Sequence, residues 1–168
     1  MGNHFIYNNS ILMQVKIKKI HPDAVIPSYS KPGDAGMDIT AISLNNTDEY
    51  VEYGTGLSFE VPEGHVMLIF PRSSNSKKDL LLCNSVGVLD SGYRGELLFR
   101  YKRVLRPVTF ENENGHMETW LNCDQQYAIG DKIGQIMILP YPAIEFEEVE
   151  DLSETERGTG GFGSTDKK

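Results

Sequence analysis

Features that would place this 168-residue chain in several common protein classes are missing from it. No apolar run is long enough to cross a membrane, and no signal peptide is evident. Positive charge is scarce, because 16 Lys and Arg stand against 24 Asp and Glu, giving a net charge of −8. We therefore expect neither nucleic acid nor membrane as a partner. No long stretch has a helical period of apolar residues, so we predict one acidic domain with few helices.

Cysteine is also scarce. The chain has two, Cys83 and Cys123, and they do not have the spacing of metal ligands. Two cysteines could form one disulfide, but both lie in strand-like sequence, which favours two buried free thiols. Free thiols are typical of a reducing compartment, so we expect a cytoplasmic protein.

The familiar phosphate-binding motifs are absent too. No Gly-Lys-Ser/Thr occurs, which excludes a P-loop. Three glycines of the C-terminal run 157–165 have G-x-G-x-x-G spacing, but an acidic, polar stretch precedes them where a dinucleotide fold needs a strand. Glycine-rich backbone can still hold anions, Arg157 offers forked donors to phosphate, and Phe162 offers a flat face for a base. A flexible tail and a nucleotide-contacting arm both remain open at this point.

What the chain does contain is many short strand-like runs separated by Gly, Pro, Asn and Asp, and these predict a sandwich, jelly roll or closed barrel. The runs are residues 15–17, 57–61, 66–70, 86–89, 96–103 and 133–139.

Three further local predictions follow from turn signals. The runs 86–89 and 96–103 predict a β-hairpin with its tip at Ser91-Gly92. Residues 73–79 are the best candidate for one or two turns of helix. The polar stretch 105–128, with a tip at 111–115, predicts an irregular insertion that decorates the barrel.

Five segments occur in a fixed order, namely residues 33–40 (GDAGMDIT), 71–74 (PRSS), 84–96 (NSVGVLDSGYRGE), 130–136 (GDKIGQI) and 157–165 (RGTGGFGST). In this set and order they resemble the five motifs of the trimeric dUTPases. One such match alone is weak, whereas five in sequence over residues 15–165 are a specific signal.

The resemblance implies an all-β, jelly-roll-like distorted β-barrel that forms a homotrimer, with a C-terminal arm closing over a neighbouring subunit's site. It divides the chain into a loose extension (1–12), the barrel domain (13–152) and the glycine-rich arm (153–168). It implies hydrolysis of dUTP to dUMP and pyrophosphate by in-line attack of water on the α-phosphorus. That reaction keeps uracil out of DNA and supplies dUMP for dTMP synthesis.

The resemblance also assigns the base and sugar site. Asp90 is implied to be the general base that activates water and contacts the 3′-hydroxyl, although an Asp here can equally cap the turn. Tyr93 is implied to lie beneath the deoxyribose and to exclude a 2′-hydroxyl. The residues implied to form the uracil site are Asn84, Gly87, Val88 and Leu89, with Phe162 covering the ring.

The phosphate site is implied by other motifs. The residues implied to hold the phosphates are Arg72, Ser73, Ser74, Gln135, Arg157, Gly163 and Ser164. Asp38 is implied to order waters around a Mg²⁺ held by the triphosphate, or else to tie down the loop 33–37. The chain departs from the family at Ser74, where glycine is frequent, and at Gly134, where alanine is usual.

Two alternatives stay open. The dCTP deaminases share the implied fold, but they need a glutamate where counting from Asp90 places Arg100. The insertion 105–128 also offers a surface for a regulatory protein partner, which would add to catalysis without replacing it.

Overall fold

The computed structural model describes residues 12–161. Within that range, eleven strands and one short 3-10 helix (η1, Ser73–Lys77) form the secondary structure. The strands are β1 Lys16–Lys19, β2 Met37–Thr40, β3 Ser43–Asn46, β4 Val51–Glu60, β5 His65–Phe70, β6 Leu80–Leu82, β7 Gly87–Leu89, β8 Glu96–Arg103, β9 Arg106–Glu111, β10 Met117–Asn122 and β11 Lys132–Pro140. The prediction of an all-β chain with one helical turn near residue 73 is confirmed.

Two antiparallel sheets build the body of the protein. One has the order β1-β4-β8-β6, with β3 also paired to β4, and the other has the order β2-β11-β5-β7. The first half of the long strand β4 pairs with β3, and its second half pairs with β1. Val51 therefore lies opposite Asn46, and Glu60 lies opposite Lys16. The turn predicted between the runs 57–61 and 66–70 is present, and Gly64 takes the positive φ of 73° that this turn requires.

Alternating sequence places the core between the sheets. On β8, Leu97, Phe99 and Tyr101 are 2%, 0% and 0% exposed, while the residues between them face outward. The Tyr53 ring packs on Tyr101 at a centroid distance of 5.9 Å. Burial of these phenols is tolerated because each finds an acceptor, and the Tyr101 hydroxyl donates to Ile133 O at 2.6 Å.

Burial also changes the acidity of this aromatic cluster. Loss of hydration raises the pKa of Tyr53 to about 12 and raises the pKa of Tyr101 and Tyr127. The three phenols are therefore neutral hydrogen-bond donors at physiological pH.

The predicted hairpin of β7 and β8 is wrong in its pairing. β7 pairs with β5, whereas β8 pairs with β4 and β6, so the connection 90–95 crosses from one sheet to the other. A six-residue connection does not force its strands to pair, and both Leu89 and Leu97 gain burial by joining separate sheets. A cleft opens where the two strands part.

The insertion is more regular than predicted. β9 and β10 pair over six residues each, from Arg106 opposite Asn122 to Glu111 opposite Met117, and form the insertion hairpin (residues 106–122). Its tip lies where the sequence predicts it, because the Asn112 side-chain oxygen accepts from the N–H groups of Asn114 and His116. The side chains of the hairpin are mostly exposed, and a regulatory partner for them stays a prediction.

The cysteines are free, as predicted, but the prediction that they are buried is wrong for both. Cys83 is exposed because it follows the short strand β6, and Cys123 is half-buried with its thiol 3.2 Å from Asp79 O. No helix in residues 12–161 has the length and apolarity that a membrane span needs.

Candidate functional site

Four of the five motifs meet across two adjacent rows of the β2-β11-β5-β7 sheet. Asp38 on β2 lies opposite Gln135 on β11, and Gln135 lies opposite Phe70 at the end of β5. In the next row, whose side chains point to the other face, Ile69 on β5 lies opposite Ile136 on one side and Gly87 of β7 on the other. Directly opposite residues in antiparallel strands have adjacent side chains, so this register gathers segments that are far apart in the sequence.

Asp38, at the β2 end of the first row, forms a two-pronged ion pair with Arg72. The Arg72 Nε lies 2.7 Å from Asp38 Oδ1, and its Nη2 lies 3.2 Å from Asp38 Oδ2. Lys132 Nζ is 3.0 Å from the same carboxylate. Two cations share one anion, which leaves a net charge of +1 at this point and suits an anionic ligand.

Gln135 completes what we term the polar cluster (Asp38, Arg72, Lys132 and Gln135). Its amide nitrogen donates to Pro71 O at 3.0 Å. A Cβ built on Gly36 would lie 2.5 Å from its amide oxygen, so only glycine permits this approach. A polar cavity of about 310 Å³ opens beside it, lined by Ser28, Ser30, Asp34, Ala35, Gly36, Asp38 and Gln135.

The sequence leaves two roles open for Asp38, namely ordering waters around Mg²⁺ or tying down the loop 33–37. The Asp38 side chain bonds to Arg72 and Lys132 and does not tie down the loop 33–37. Asp34 instead closes the turn that leads into this loop, because its Oδ2 accepts from Lys31 N at 2.8 Å.

Ser73 and Ser74 lie at the beginning of η1, within what we term the 72–79 turn. Arg72 is the N-cap residue of η1, and among residues 12–161 no side chain caps the helix by a hydrogen bond. The Ser74 hydroxyl lies 3.4 Å from Arg72 Nη1, so the departure from glycine adds a polar contact to the guanidinium. The serines predicted for phosphate binding therefore lie next to the polar cluster.

A second cavity of about 500 Å³, which we term the split-strand cleft, lies where β7 and β8 separate. Its lining contains five of the predicted site residues, namely Asn84, Val88, Leu89, Asp90 and Tyr93, together with Ile69, Leu82, Cys83, Glu96, Leu97, Leu98 and Arg100. Gly87 lies behind this lining. A Cβ there would be 3.0 Å from both Asn84 Nδ2 and Ile69 Cβ, which is tighter than ordinary packing.

The connection 90–95 is held by its own groups. Tyr93 N donates to Asp90 O at 3.1 Å, and the Tyr93 hydroxyl donates to Glu96 O at 3.0 Å. A Cβ on Gly95 would overlap the Tyr93 ring, so glycine allows this tyrosine to fold back over the loop. Arg94 Nη1 donates to Ser91 O at 2.6 Å.

The Asp90 side chain is exposed. Its backbone oxygen takes part in the turn, but within residues 12–161 no hydrogen bond or ion pair holds its carboxylate. The geometry thus gives no support to the alternative in which this carboxylate only caps the turn. An unpaired carboxylate on a cleft wall is available to accept a proton from water.

A metal held directly by the protein does not fit the residues present. In the part of the chain that the structure describes, no three His, Cys, Asp or Glu side chains are grouped to bind a metal ion. Asp38 is already shared between Arg72 and Lys132. One such carboxylate fits a Mg²⁺ that keeps its waters and takes its other ligands from phosphate oxygens.

Some predicted residues are not brought together. Among the residues that the structure describes, the polar cavity and the split-strand cleft have no lining residue in common. Arg157 is exposed and donates to Gly160 O at 3.0 Å within its own turn. Phe162, Gly163 and Ser164 lie outside the described residues.

Sequence reasoning missed Lys132, which lies between the fourth motif's Gly130-Asp131 and its buried strand. A lysine at the first residue of a strand is usually solvated, and its only signal was its position inside the motif. It is the cross-strand register with Thr40, beside Asp38, that brings its ammonium to the carboxylate.

The fold and the site together define a small β-barrel enzyme with a cationic polar cluster and a separate cleft. A family model for dUTPase matches residues 22–103. A deoxyuridine 5′-triphosphate nucleotidohydrolase from Nautilia profundicola is 37% identical over 158 residues, covering 92% of this chain and 100% of the relative. The chain therefore belongs to the dUTPase family.

Solved structures agree with this assignment. The dUTPase of Staphylococcus bacteriophage 80alpha, solved with dUpNHpp, matches with a TM-score of 0.72 and 29% identity over 90% of this chain and 97% of its own. A variant dUTPase from phage phi11 of S. aureus, described with a coordinated structural Mg(II) ion, matches with a TM-score of 0.63 and 25% identity, over 83% of this chain and 98% of its own. The jelly-roll-like fold predicted from the sequence is thereby confirmed.

Proposed function

We propose that the chain hydrolyses dUTP to dUMP and pyrophosphate. The observation that carries the proposal is the register of the β2-β11-β5-β7 sheet. It places Asp38 and Gln135 beside the end of β5, which leads into the 72–79 turn, and pairs β5 with β7, the strand that lines the split-strand cleft. Cationic donors for phosphates and a cleft for a base thus lie on the same sheet.

The split-strand cleft is the proposed uracil site. Among residues 12–161, β7 pairs on one edge with β5, and its other edge, towards β8, has no strand partner. The main-chain groups of Val88 and Leu89, with the Asn84 amide, can pair with the edge of a pyrimidine. An unpaired buried donor costs ~1–3 kcal/mol, so such a site rejects cytosine by mismatch and thymine by lack of space for its methyl group. Tyr93 would lie beneath the deoxyribose.

The polar cluster is the proposed phosphate site. Arg72, Ser73, Ser74 and Gln135 supply donors that a triphosphate can accept, and Lys132 adds a second cation to the same point. Arg157 of the arm, together with Gly163 and Ser164, would add further donors, while Phe162 covers the base. Charge-assisted hydrogen bonds of this kind are worth ~1.5–3 kcal/mol each.

Asp90 is the proposed general base. Its exposed carboxylate lines the cleft and can take a proton from the water that attacks the α-phosphorus in line. Asp38 would orient the waters of a Mg²⁺ that the triphosphate holds, and the ion, when bound, neutralises charge on the leaving pyrophosphate. The Mg(II) ion described for the phi11 dUTPase supports a metal in this family.

A homotrimer is also part of the proposal. The two cavities of one chain have no lining residue in common, which supports a site completed by another subunit. The segment that follows β11 exposes large apolar side chains, with Ile144, Phe146 and Leu152 being 71%, 92% and 87% exposed. An arm that packs on a neighbour would bury them. The boundaries 1–12, 13–152 and 153–168, and a cytoplasmic location, belong to this proposal.

The dCTP deaminase alternative is not favoured. Arg100, at the position where that reaction needs a glutamate, is a fixed cation whose Nε lies 2.7 Å from Glu52 Oε2. Its guanidinium carbon lies 4.7 Å from the Tyr50 ring centroid. A group held in this way does not exchange protons with a base.

One assay tests the function. The purified chain is incubated separately with dUTP, dCTP, dTTP and UTP, with Mg²⁺ or with EDTA, and pyrophosphate and ammonia are measured. We expect pyrophosphate from dUTP alone, a marked loss with EDTA, and no ammonia from dCTP. Ammonia release, or equal turnover of dCTP and dUTP, would overturn the proposal.

A further inference from the structure

The stretch that returns from the insertion hairpin lies directly against the 72–79 turn. Lys78 Nζ donates to Gln126 O at 2.8 Å, and Asp79 N donates to Gln125 O at 2.9 Å. The turn that carries the proposed phosphate donors is thus braced by residues outside all five motifs.

Tyr127 ends this stretch and belongs to the core. It is 4% exposed, and its ring lies 6.1 Å from the Tyr53 centroid and 5.9 Å from the Tyr101 centroid. Its backbone is fixed as well, because Tyr127 N donates to the Tyr53 hydroxyl at 3.2 Å and that hydroxyl donates to Tyr127 O at 3.1 Å. The position of the ring is therefore set by the barrel.

The hydroxyl of this fixed ring reaches out of the core to the turn. It donates to Asn75 Oδ1 at 3.2 Å, and the Asn75 amide nitrogen donates in turn to Leu80 O at 2.9 Å. Burial raises the pKa of Tyr127, while the Ser74 hydroxyl and the Arg72 guanidinium act in the opposite direction. Arg72 Nη1 in turn lies 3.4 Å from Ser74 Oγ.

We propose that Tyr127 is a positioning residue for phosphate binding. Its hydroxyl transmits the rigidity of the barrel to Asn75, whose N–H donates to Arg72 O at 2.9 Å, and so holds the Arg72 guanidinium where the triphosphate meets it. The inference rests on the proposed phosphate role of the 72–79 turn. Donors to an oxyanion must be held within about 0.5 Å to be effective, and a short 3-10 turn is not rigid enough to do so alone.

A role in packing alone makes a different prediction. The ring of a phenylalanine would fill the same space between Tyr53 and Tyr101, whereas the hydroxyl contacts the turn. Removing the hydroxyl therefore separates the positioning role from the packing role.

The test is Tyr127→Phe in the full chain, with titration of dUpNHpp and inhibition by deoxyuridine, which has the base and sugar without phosphates. We expect dUpNHpp affinity to fall about three- to tenfold and KM for dUTP to rise similarly, with kcat less affected. Deoxyuridine inhibition should be unchanged. Unchanged dUpNHpp affinity, or an equal loss for deoxyuridine, would overturn the proposal.

Tyr101→Phe is the matched control, because it removes a hydroxyl from the same aromatic cluster. That hydroxyl donates to Ile133 O and not to the turn. We expect a lower melting temperature and unchanged dUpNHpp affinity. If Tyr101→Phe weakens the analogue as much as Tyr127→Phe does, the effect belongs to the core and the positioning role is wrong.

Two further variants approach the link from the turn. Asn75→Ala should weaken dUpNHpp binding, and combining it with Tyr127→Phe should add little, because both changes break one chain of contacts. Additive losses would count against the link.

Arg72→Ala distinguishes failure of the proposed phosphate site from failure of the Tyr127 inference. If it leaves dUpNHpp affinity unchanged, the phosphate role of the turn fails, whereas a loss with Arg72→Ala but none with Tyr127→Phe refutes the Tyr127 inference alone.

Discussion

Gly134 lies on β11 between the buried Ile133 and the polar Gln135, where the family usually has alanine. A Cβ built there would overlap the ring of Phe99, which is fully buried on β8. The ring thus takes the volume that an alanine methyl group would need. The sequence alone does not explain why glycine replaces alanine at this position. The structure explains it by the Phe99 side chain, which lies on the other sheet.

Gly134→Ala should therefore destabilise the protein by about 1–3 kcal/mol, because the Phe99 ring has to move. Urea unfolding measures the change. Gly161→Ala is the matched control, since its Cβ would meet no atom of residues 12–160 within 4 Å. With Phe99→Leu in the same chain, the alanine should cost less than it does alone, and strictly additive losses would contradict the steric explanation.

Asp90→Asn tests the general base at the same scale. The amide keeps the shape of the side chain but cannot accept a proton from water, so kcat should fall by at least about 100-fold. Binding of dUpNHpp should stay within about threefold of the parent chain. Asp48→Asn, at another exposed aspartate, should leave both quantities unchanged. Turnover near the parent rate would remove Asp90 from the chemistry.

At the scale of elements, β4 and β8 are joined through an irregularity between Gly54 and Ser58. Glu96 compensates for the missing ladder bonds, because its Oε1 accepts from Thr55 N at 3.0 Å and from Gly56 N at 2.7 Å. Gly56 takes a φ of 65°, as the bulge demands. One carboxylate thus holds the backbone that bends this sheet.

Glu96→Ala should destabilise the protein by about 2–4 kcal/mol, because two part-buried N–H groups lose a charged acceptor. Urea unfolding of the variant beside Glu113→Ala, which removes an exposed glutamate from the insertion hairpin, checks this value. A loss of stability below about 0.5 kcal/mol would mean that water replaces the carboxylate as acceptor and that the bulge does not depend on Glu96.

Strand positions were predictable from the sequence, whereas strand partners were not. The alternation from Glu96 to Arg103 identified β8 and its buried face, but it contains no information on which strand lies beside it. The hairpin prediction failed for that reason, since the choice between β7 and β4 is made by long-range burial. Lys132 and Tyr127 were missed because their partners lie more than 50 residues away in the sequence.

For the whole molecule, the cluster of Tyr53, Tyr101 and Tyr127 sets a limit on alkaline stability. Each pKa is raised by burial, so the folded state retains protons that the unfolded state releases above about pH 10. Stability from these groups is fully present below pH 10 and is lost as pH rises, by up to about 1.4 kcal/mol per pH unit for each tyrosine.

Urea unfolding between pH 8 and pH 11.5, followed by fluorescence and by phenolate absorbance, measures this effect, in a range chosen around the ordinary tyrosine pKa of about 10. The free energy of unfolding should stay level up to about pH 10 and then fall, and phenolate from the cluster should form together with unfolding. Constant stability throughout would mean that the phenols ionise in place and that their burial is overstated.

The separation of the polar cavity from the split-strand cleft has a genetic consequence for the proposed trimer. A mutation in either the polar cavity or the cleft inactivates only those active sites of the trimer to which the mutated chain contributes that part. Two gene copies with different defects can then restore some intact centres in mixed assemblies, although neither copy is active by itself.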